Sequence, residues 1–334
     1  MHRGMAPRSG RMIGLMLTLA LAGAGAGHAT ILGVEDTRFT LDGEEVFLLG
    51  ISYYAAQGAS AECMESDMSA FAYTGINWIR VWATWDMFGE ISAVDPSGAA
   101  REPYLTRLKS LVSVANERGI VVDLTLARGV GIANQVAHLQ AVRTLAEALK
   151  PWRNVYFDVA NERNIKDARY VSLEECGELR DAIKEIDPAR LVTASHGGDI
   201  SREELADYLR VARVDFITPH RPRNGASPAG TQTKTQEYLQ WMAELGKIVP
   251  VHYQEPFRRD YGRWQPELAD FVADLRGAIT GGAAGWCLHN GSPRGAARDD
   301  TGPRRSFDLS ERCLMAQLDA VELAVLGEMS RALD

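Results

Sequence analysis

The sequence predicts a (β/α)8 barrel, the α/β TIM-barrel class, and three observations carry that prediction. Short apolar runs alternate with longer amphipathic stretches eight times after residue 36. No break in composition divides the repeat, and 334 residues suit one such barrel with insertions. Connections into the apolar runs are tight, whereas several that leave them are long, notably after Trp82 and Leu288. That asymmetry is expected when the loops of one barrel face are elaborated for binding. A doubly wound open sheet is the alternative; it would want a glycine-rich phosphate loop after the first strand, and none follows.

Taken in order, the expected strands are 46–52, 78–82, 120–126, 155–160, 191–195, 215–219, 248–253 and 284–288. Each is a short apolar run of the kind a strand buried on both faces requires. The helical stretches that follow lie near 65–74, 103–118, 135–150, 173–186, 201–212, 232–245, 265–280 and 311–332. Turn residues close the gaps between helix and strand, as in Glu117-Arg118-Gly119, Asp187-Pro188-Ala189-Arg190 and Leu245-Gly246-Lys247.

The N-terminus has a different character. Arg3, Arg8 and Arg11 flank the apolar stretch 12–21, and small residues lead to Gly27-His28-Ala29. This layout reads as a secretory signal peptide over 1–29, cleaved after Ala29, with the barrel occupying 30–334. The apolar stretch is about half the roughly 20 residues a spanning helix needs, so no stable membrane anchor is expected. The chain is thus expected to be secreted or periplasmic. Export permits disulfides among Cys63, Cys176, Cys287 and Cys313; four cysteines allow three pairings, and small core residues are the other reading. A net charge of −8 without a basic run excludes nucleic acid as a partner on electrostatic grounds. The sequence leaves the oligomeric state open.

In a parallel barrel the C-terminal strand ends carry the chemistry. The pentapeptide Val-Ala-Asn-Glu-Arg occurs twice, at 114–118 and 159–163. The first copy closes a helical pattern and reads as a solvated helix end. The second closes a buried strand, so Asn161 and Glu162 sit where that strand becomes a loop. The seventh strand ends in His252-Tyr253-Gln254-Glu255, the eighth in Trp286-Cys287-Leu288-His289-Asn290, and the sixth in His220. Glycoside hydrolysis commonly uses two carboxyl groups flanking the bond, and Glu162 and Glu255 can face each other across a barrel mouth. Arg80 lies in an apolar strand, where a guanidinium needs a partner; an ionised Glu255 would supply one. Tyr53, Tyr54, Trp82, Trp85, Tyr253 and Trp286 are candidate faces for sugar rings or core packing.

Together, Arg80, Asn161-Glu162, Glu255 and Trp286 resemble glycoside hydrolase clan A, closest in look to the cellulase-like family 5. The resemblance runs over roughly residues 36–330. It implies a retaining glycosidase with Glu162 as acid/base and Glu255 as nucleophile. It also implies Arg80, Asn161 and His220 as substrate-site residues, and Trp286 as a floor under the sugar. The expected partner is a carbohydrate, and the mechanism requires neither cofactor nor metal. Two positions depart from the family pattern. Ala127-Arg128-Gly129 stands where a histidine is usual, and His220-Arg221-Pro222 lacks the tyrosine of a His-x-Tyr, a role Tyr253 would have to take over. Arg128, Arg221 and Arg223 near the predicted mouth would suit an acidic or substituted sugar. A metal hydrolase would want a His-x-His on the first strand, where Ile51-Ser52-Tyr53 stands instead. A binding barrel without catalysis would need only the aromatic and polar rim, and a transglycosylase would use the same two glutamates.

Overall fold

The computed structural model describes Met1 and residues 30–86, 89–290 and 307–333. The expected signal peptide therefore lies outside the described residues, as does much of the long connection after the last strand.

A feature the periodicity did not single out comes first. Strands β1 (Leu32–Glu35), β2 (Arg38–Leu41) and β3 (Glu44–Val46) form an antiparallel meander. Asp42 and Gly43 both take positive φ in the β2–β3 turn, 55° and 90°, as a tight Asp-Gly hairpin demands. Phe39 at its centre is fully buried and stands edge-on to Phe216 at 5.0 Å and His252 at 5.3 Å.

That meander stoppers the lower end of a parallel sheet. Its strands are β4 (Leu48–Ser52), β5 (Trp78–Trp82), β8 (Val121–Thr125), β9 (Val155–Asp158), β10 (Val192–Thr193), β11 (His252–Tyr253) and β12 (Gly285–Leu288), in the order β10-β9-β8-β5-β4-β12-β11. A small hairpin, β6 (Thr84–Trp85) with β7 (Ile91–Ser92), rises from the loop after β5. The expected sixth barrel strand over 215–219 is reduced to isolated parallel bridges, Ile217 to Val251 and Pro219 to His196. Pro219 and the facing Pro250 each lack the N–H a continued ladder would use. The bridges nonetheless join β10 to β11 and close the ring, so the fold is the (β/α)8 barrel that the periodicity predicts.

Among the described residues, seven main helices and one short one surround the barrel: α1 (Ala61–Tyr73), α2 (Tyr104–Asn116), α3 (Gln135–Leu149), α4 (Leu173–Ile186), α5 (Arg202–Asp207), α6 (Ser227–Leu245), α7 (Leu268–Gly281) and α8 (Ala320–Met329). Sequence-encoded stops set their ends. Ser172 and Glu175 form a capping box on α4, worth about 1 kcal/mol. Among the described residues, no helix is long and apolar enough to cross a membrane. Cys63 on α1 is bonded to Cys313, and the backbone N–H groups of Leu314 and Met315 donate to Asp67 of α1 at 2.8 and 3.2 Å. Cys176 and Cys287 are free and buried. Both readings of the cysteines thus hold, one for each pair.

Strand parity decides what reaches the barrel interior. On β4, Leu49 and Ile51 pack outward against the helices, whereas Leu48 joins the lower interior layer with Phe39, Trp78 and Tyr156. Gly50 also faces inward, because a Cβ there would lie 1.7 Å from the Trp78 ring. On β5, Trp78, Arg80 and Trp82 point in and Ile79 and Val81 point out. The same rule governs the site.

Candidate active site

Arg80 is fully buried at the centre of the barrel. Its Nε donates to Asp123 Oδ2 at 3.1 Å, and its Nη2 donates to Asp158 Oδ2 at 3.0 Å and Asn161 Oδ1 at 2.9 Å. Its Nη1 bonds Glu255 Oε1. One cation cannot neutralise three buried carboxylates. Burial pushes Asp123 up to about 8, even against the pull of Arg80. Burial works against the charge on Glu255, but the Arg80 guanidinium, with Arg223 beside it, holds the carboxyl well below the usual carboxylate range. Tyr54 O–H donates to the same Oε1 at 2.7 Å. Glu255 is therefore an ionised, oriented carboxylate.

Glu162 follows β9 in a left-handed backbone conformation, φ 44°. A non-glycine residue there costs about 1–2 kcal/mol. The conformation is held by the Glu162 N–H donating to Ser195 Oγ and by Ile165 N–H donating back to the Glu162 carbonyl, both at 3.0 Å. Strain of this kind concentrates where a side chain must be aimed. It aims the carboxyl at His220, whose Nδ1 lies 3.3 Å from Glu162 Oε1 and 3.5 Å from Glu255 Oε2. Glu162, His220 and Glu255 each bring one polar atom within 4.8 Å of the others. The two glutamates predicted from strand ends 93 residues apart in sequence thus share one mouth.

Comparison with known proteins agrees with this geometry. The description Cellulase (glycosyl hydrolase family 5) matches residues 39–246, more than half of the chain. The chain belongs to glycosyl hydrolase family 5. It is a glycosidase acting on O-glycosyl bonds. Solved structures with the same fold include an endo-1,4-β-mannanase from Rhizomucor miehei at 14% identity and TM-score 0.65, covering 91% of this chain and 99% of that one. An endo-1,4-β-D-mannanase from Thermotoga petrophila RKU-1 is 16% identical with TM-score 0.61, covering 85% and 99%. A family 5 glycoside hydrolase from Bacteroides vulgatus ATCC 8482 is 17% identical with TM-score 0.65, covering 91% and 70%. No curated protein matches the sequence.

Within this family 5 site, Arg80, Asn161, Glu162, His220 and Glu255 come together as the sequence suggests. Trp82 also faces the mouth, where it meets Tyr54 at 5.8 Å and Trp85 at 5.4 Å between ring centroids. The indole N–H groups of Trp82 and Trp85 are buried and have no partner among the described residues.

Three expected site residues are elsewhere. Tyr53 points outward, donating its O–H to Asp67 of α1 at 3.0 Å. Tyr253 points outward to Thr235 of α6 at 2.6 Å. Trp286 is fully buried, and its indole N–H donates to Asp274 of α7 at 2.7 Å. It is a core residue between barrel and helices, not a floor under the sugar. Each has the outward parity of its strand, and the residues of inward parity that reach the mouth are Tyr54, Gln254 and His289. His289 Nδ1 lies 3.1 Å from Ser52 Oγ and 3.2 Å from Tyr54 O–H, and burial keeps its ring neutral. Of the three arginines expected at the mouth, Arg128 is diverted to Glu175 of α4 at 3.0 Å. Arg221 pairs with Asp199. Arg223 is at the centre: one Nη2 donates to Glu162 Oε1 at 3.1 Å and to Glu255 Oε2 at 2.5 Å. Burial would raise Glu162, but His220 and Arg223 bring it down to about 2.

Proposed function

We propose that this enzyme is an exported glycosidase of the retaining type, cleaving a β-linked poly- or oligosaccharide by double displacement. Glu255 attacks the anomeric carbon while Glu162 protonates the leaving oxygen. The bond from sugar to leaving group breaks as the bond to Glu255 forms. Glu162, now a carboxylate, then takes a proton from water, whose oxygen displaces Glu255.

The observation that carries this reading is the approach of Glu162 and Glu255 oxygens within 4.8 Å. Retaining pairs stand about 5–5.5 Å apart, and inverting pairs roughly 6.5–9.5 Å, because the latter must admit a water. Arg80 and Tyr54 on Oε1 fit a carboxylate kept ionised for attack. The free indole N–H groups of Trp82 and Trp85 offer donors to sugar hydroxyls. Export is supported by the signal-like N-terminus and by the Cys63–Cys313 disulfide. On this reading residues 1–29 are removed and 30–334 form one catalytic unit. β-1,4-Mannans belong among the substrates tried first, since two structural neighbours are named for that activity.

The test is turnover by the mature chain, from Thr30, on β-linked polysaccharides and aryl glycosides, with the anomer of the first product read by NMR. Activity that Glu255→Ala abolishes, with retained configuration, supports the proposal. Inverted product, or wild-type turnover in that variant, rejects it.

A further inference from the structure

Four guanidinium groups line the cavity of about 600 Å3 that opens beside Glu162: Arg169, Arg221, Arg223 and Arg258. Two of them have acids of their own. Arg169 pairs with Asp167 at 2.8 Å, and Arg221 with Asp199. The other two do not. The carboxylates that Arg223 touches are the two glutamates that the reaction needs. Arg258 has no carboxylate within salt-bridge distance among the described residues. Its Nη1 lies 3.4 Å from His289 Nε2, and its Nε is buried without a partner. Both guanidiniums rest against one ring, Tyr261, at 4.7 Å for Arg223 and 5.1 Å for Arg258.

This arrangement is lopsided. Cations largely withdrawn from water are stable when paired, and these two half-buried arginines with no spare acid repel each other. The crowding is felt: burial and the adjacent Arg223 lower the pKa of Arg258. Arg223 also spans the gap between Glu162 and Glu255, where the reacting sugar carbon belongs. A neutral ring entering there must push Arg223 toward Arg258 and supply nothing to receive it. A ring that carries an anion supplies the missing partner, and planar guanidiniums bind carboxylate or sulfate oxygens in pairs.

We infer that the substrate bears an anionic group near the cleaved bond, a carboxylate or a sulfate ester on the sugar, which Arg223 and Arg258 hold against Tyr261. The inference rests on the two-glutamate reading above. It makes recognition and chemistry one event: as Arg223 turns to the anion, it leaves both glutamates. That exposes the Glu255 oxygen for attack and takes one of two guanidiniums off Glu162, Arg169 remaining on its Oε2 at 3.2 Å, which favours return of the proton it must later donate.

The test is calorimetric titration of the purified enzyme, at fixed ionic strength in chloride, with glucuronate, glucose 6-sulfate and glucose. At least one anionic sugar is expected to bind tenfold or more tightly than glucose, and the better of the two identifies the anion. R258Q, checked for folding by circular dichroism, is expected to erase most of that preference, with R258K intermediate. Equal binding of all three sugars, no binding by either anion, or a full preference in folded R258Q would overturn the inference. Turnover of aryl β-glucuronide and of a sulfated aryl glycoside against their neutral parents separates the two readings. Turnover of neutral glycosides alone, lost in Glu255→Ala, overturns the anionic substrate and leaves the two-glutamate mechanism standing. An Arg258-dependent preference with turnover indifferent to Glu255→Ala supports the anion site and removes the mechanism.

Discussion

The indole nitrogen of Trp286 donates to Asp274 Oδ2 at 2.7 Å, and that contact ties the eighth barrel strand to α7. Burial pushes Asp274 up to about 6 from its ordinary 3.8, although Thr231, Trp286 and Arg221 pull the other way. A carboxyl raised on folding contributes its full stability below about pH 3.8 and loses it as pH rises through about 6. Asp274→Asn should therefore flatten the decline in stability across that interval, a difference on the order of 3 kcal/mol. Urea unfolding of both proteins at pH 4 and pH 7 measures it; parallel declines would show that Asp274 does not titrate there.

The adjacent tyrosines just past β4 should behave differently. Tyr54→Phe removes a hydrogen bond to an ionised nucleophile, worth about 1.5–3 kcal/mol, so kcat/KM should fall by roughly 10- to 100-fold. Tyr53→Phe removes a bond to Asp67 that two backbone donors also serve, so stability should fall by about 1 kcal/mol with kcat unchanged. Steady-state kinetics and thermal melts of the two variants, side by side, give the answer. A kinetic defect in Tyr53→Phe equal to that of Tyr54→Phe would contradict the assigned parity.

Arg223 and His220 hold Glu162 in its ionised form in the free enzyme. Arg223→Gln removes the guanidinium charge, so the alkaline limb of kcat/KM, which reports the acid in the free enzyme, should move to higher pH. A limb that stays in place would mean that Arg223 does not govern the proton on Glu162.

Leaving-group dependence examines the acid itself. Glu162→Ala should slow turnover strongly for a poor leaving group and much less for an activated aryl one, since only the former needs the proton. A uniform loss across a series of aryl glycosides would argue against the acid role.

Gly50 sits where a Cβ would lie 1.7 Å from the Trp78 ring. Gly50→Ala should cost about 1–3 kcal/mol by forcing that ring aside, and a chemical denaturation midpoint equal to wild type would show slack in the lower layer.

Much of this was readable from residues because barrel strands are short apolar runs and chemistry gathers at their ends. Asn161, Glu162, His220 and Glu255 stand at strand ends and are reached by that rule, whereas the site roles of Arg80, Asn161 and His220 come from the resemblance to the cellulase-like family. Side-chain parity is not reached by the rule, because strands buried on both faces are apolar on both, and no alternation marks the inside. Tyr53, Tyr253 and Trp286 each fall on the outward parity of their strands for this reason. Gly285 and Gly50, whose missing side chains make room inside, are the signal that could have fixed the phase. The meander was missed, and Asp42-Gly43, a tight-hairpin dipeptide, is the signal that could have found it. Arg223 and Arg258 lie on loops, whose paths no periodicity encodes. The repeated pentapeptide was separable by context: its first copy ends α2, where Asn116 Oδ1 accepts the Thr30 N–H at 3.0 Å.

The meander that stoppers the barrel brings Thr30 to the end of α2, on the pole opposite Glu162 and Glu255. A handle joined ahead of Thr30 sits on that far pole. Fixed to a bead or a cell surface through such a handle, the molecule turns its open end toward the medium, free to meet a polymer too large to diffuse around it.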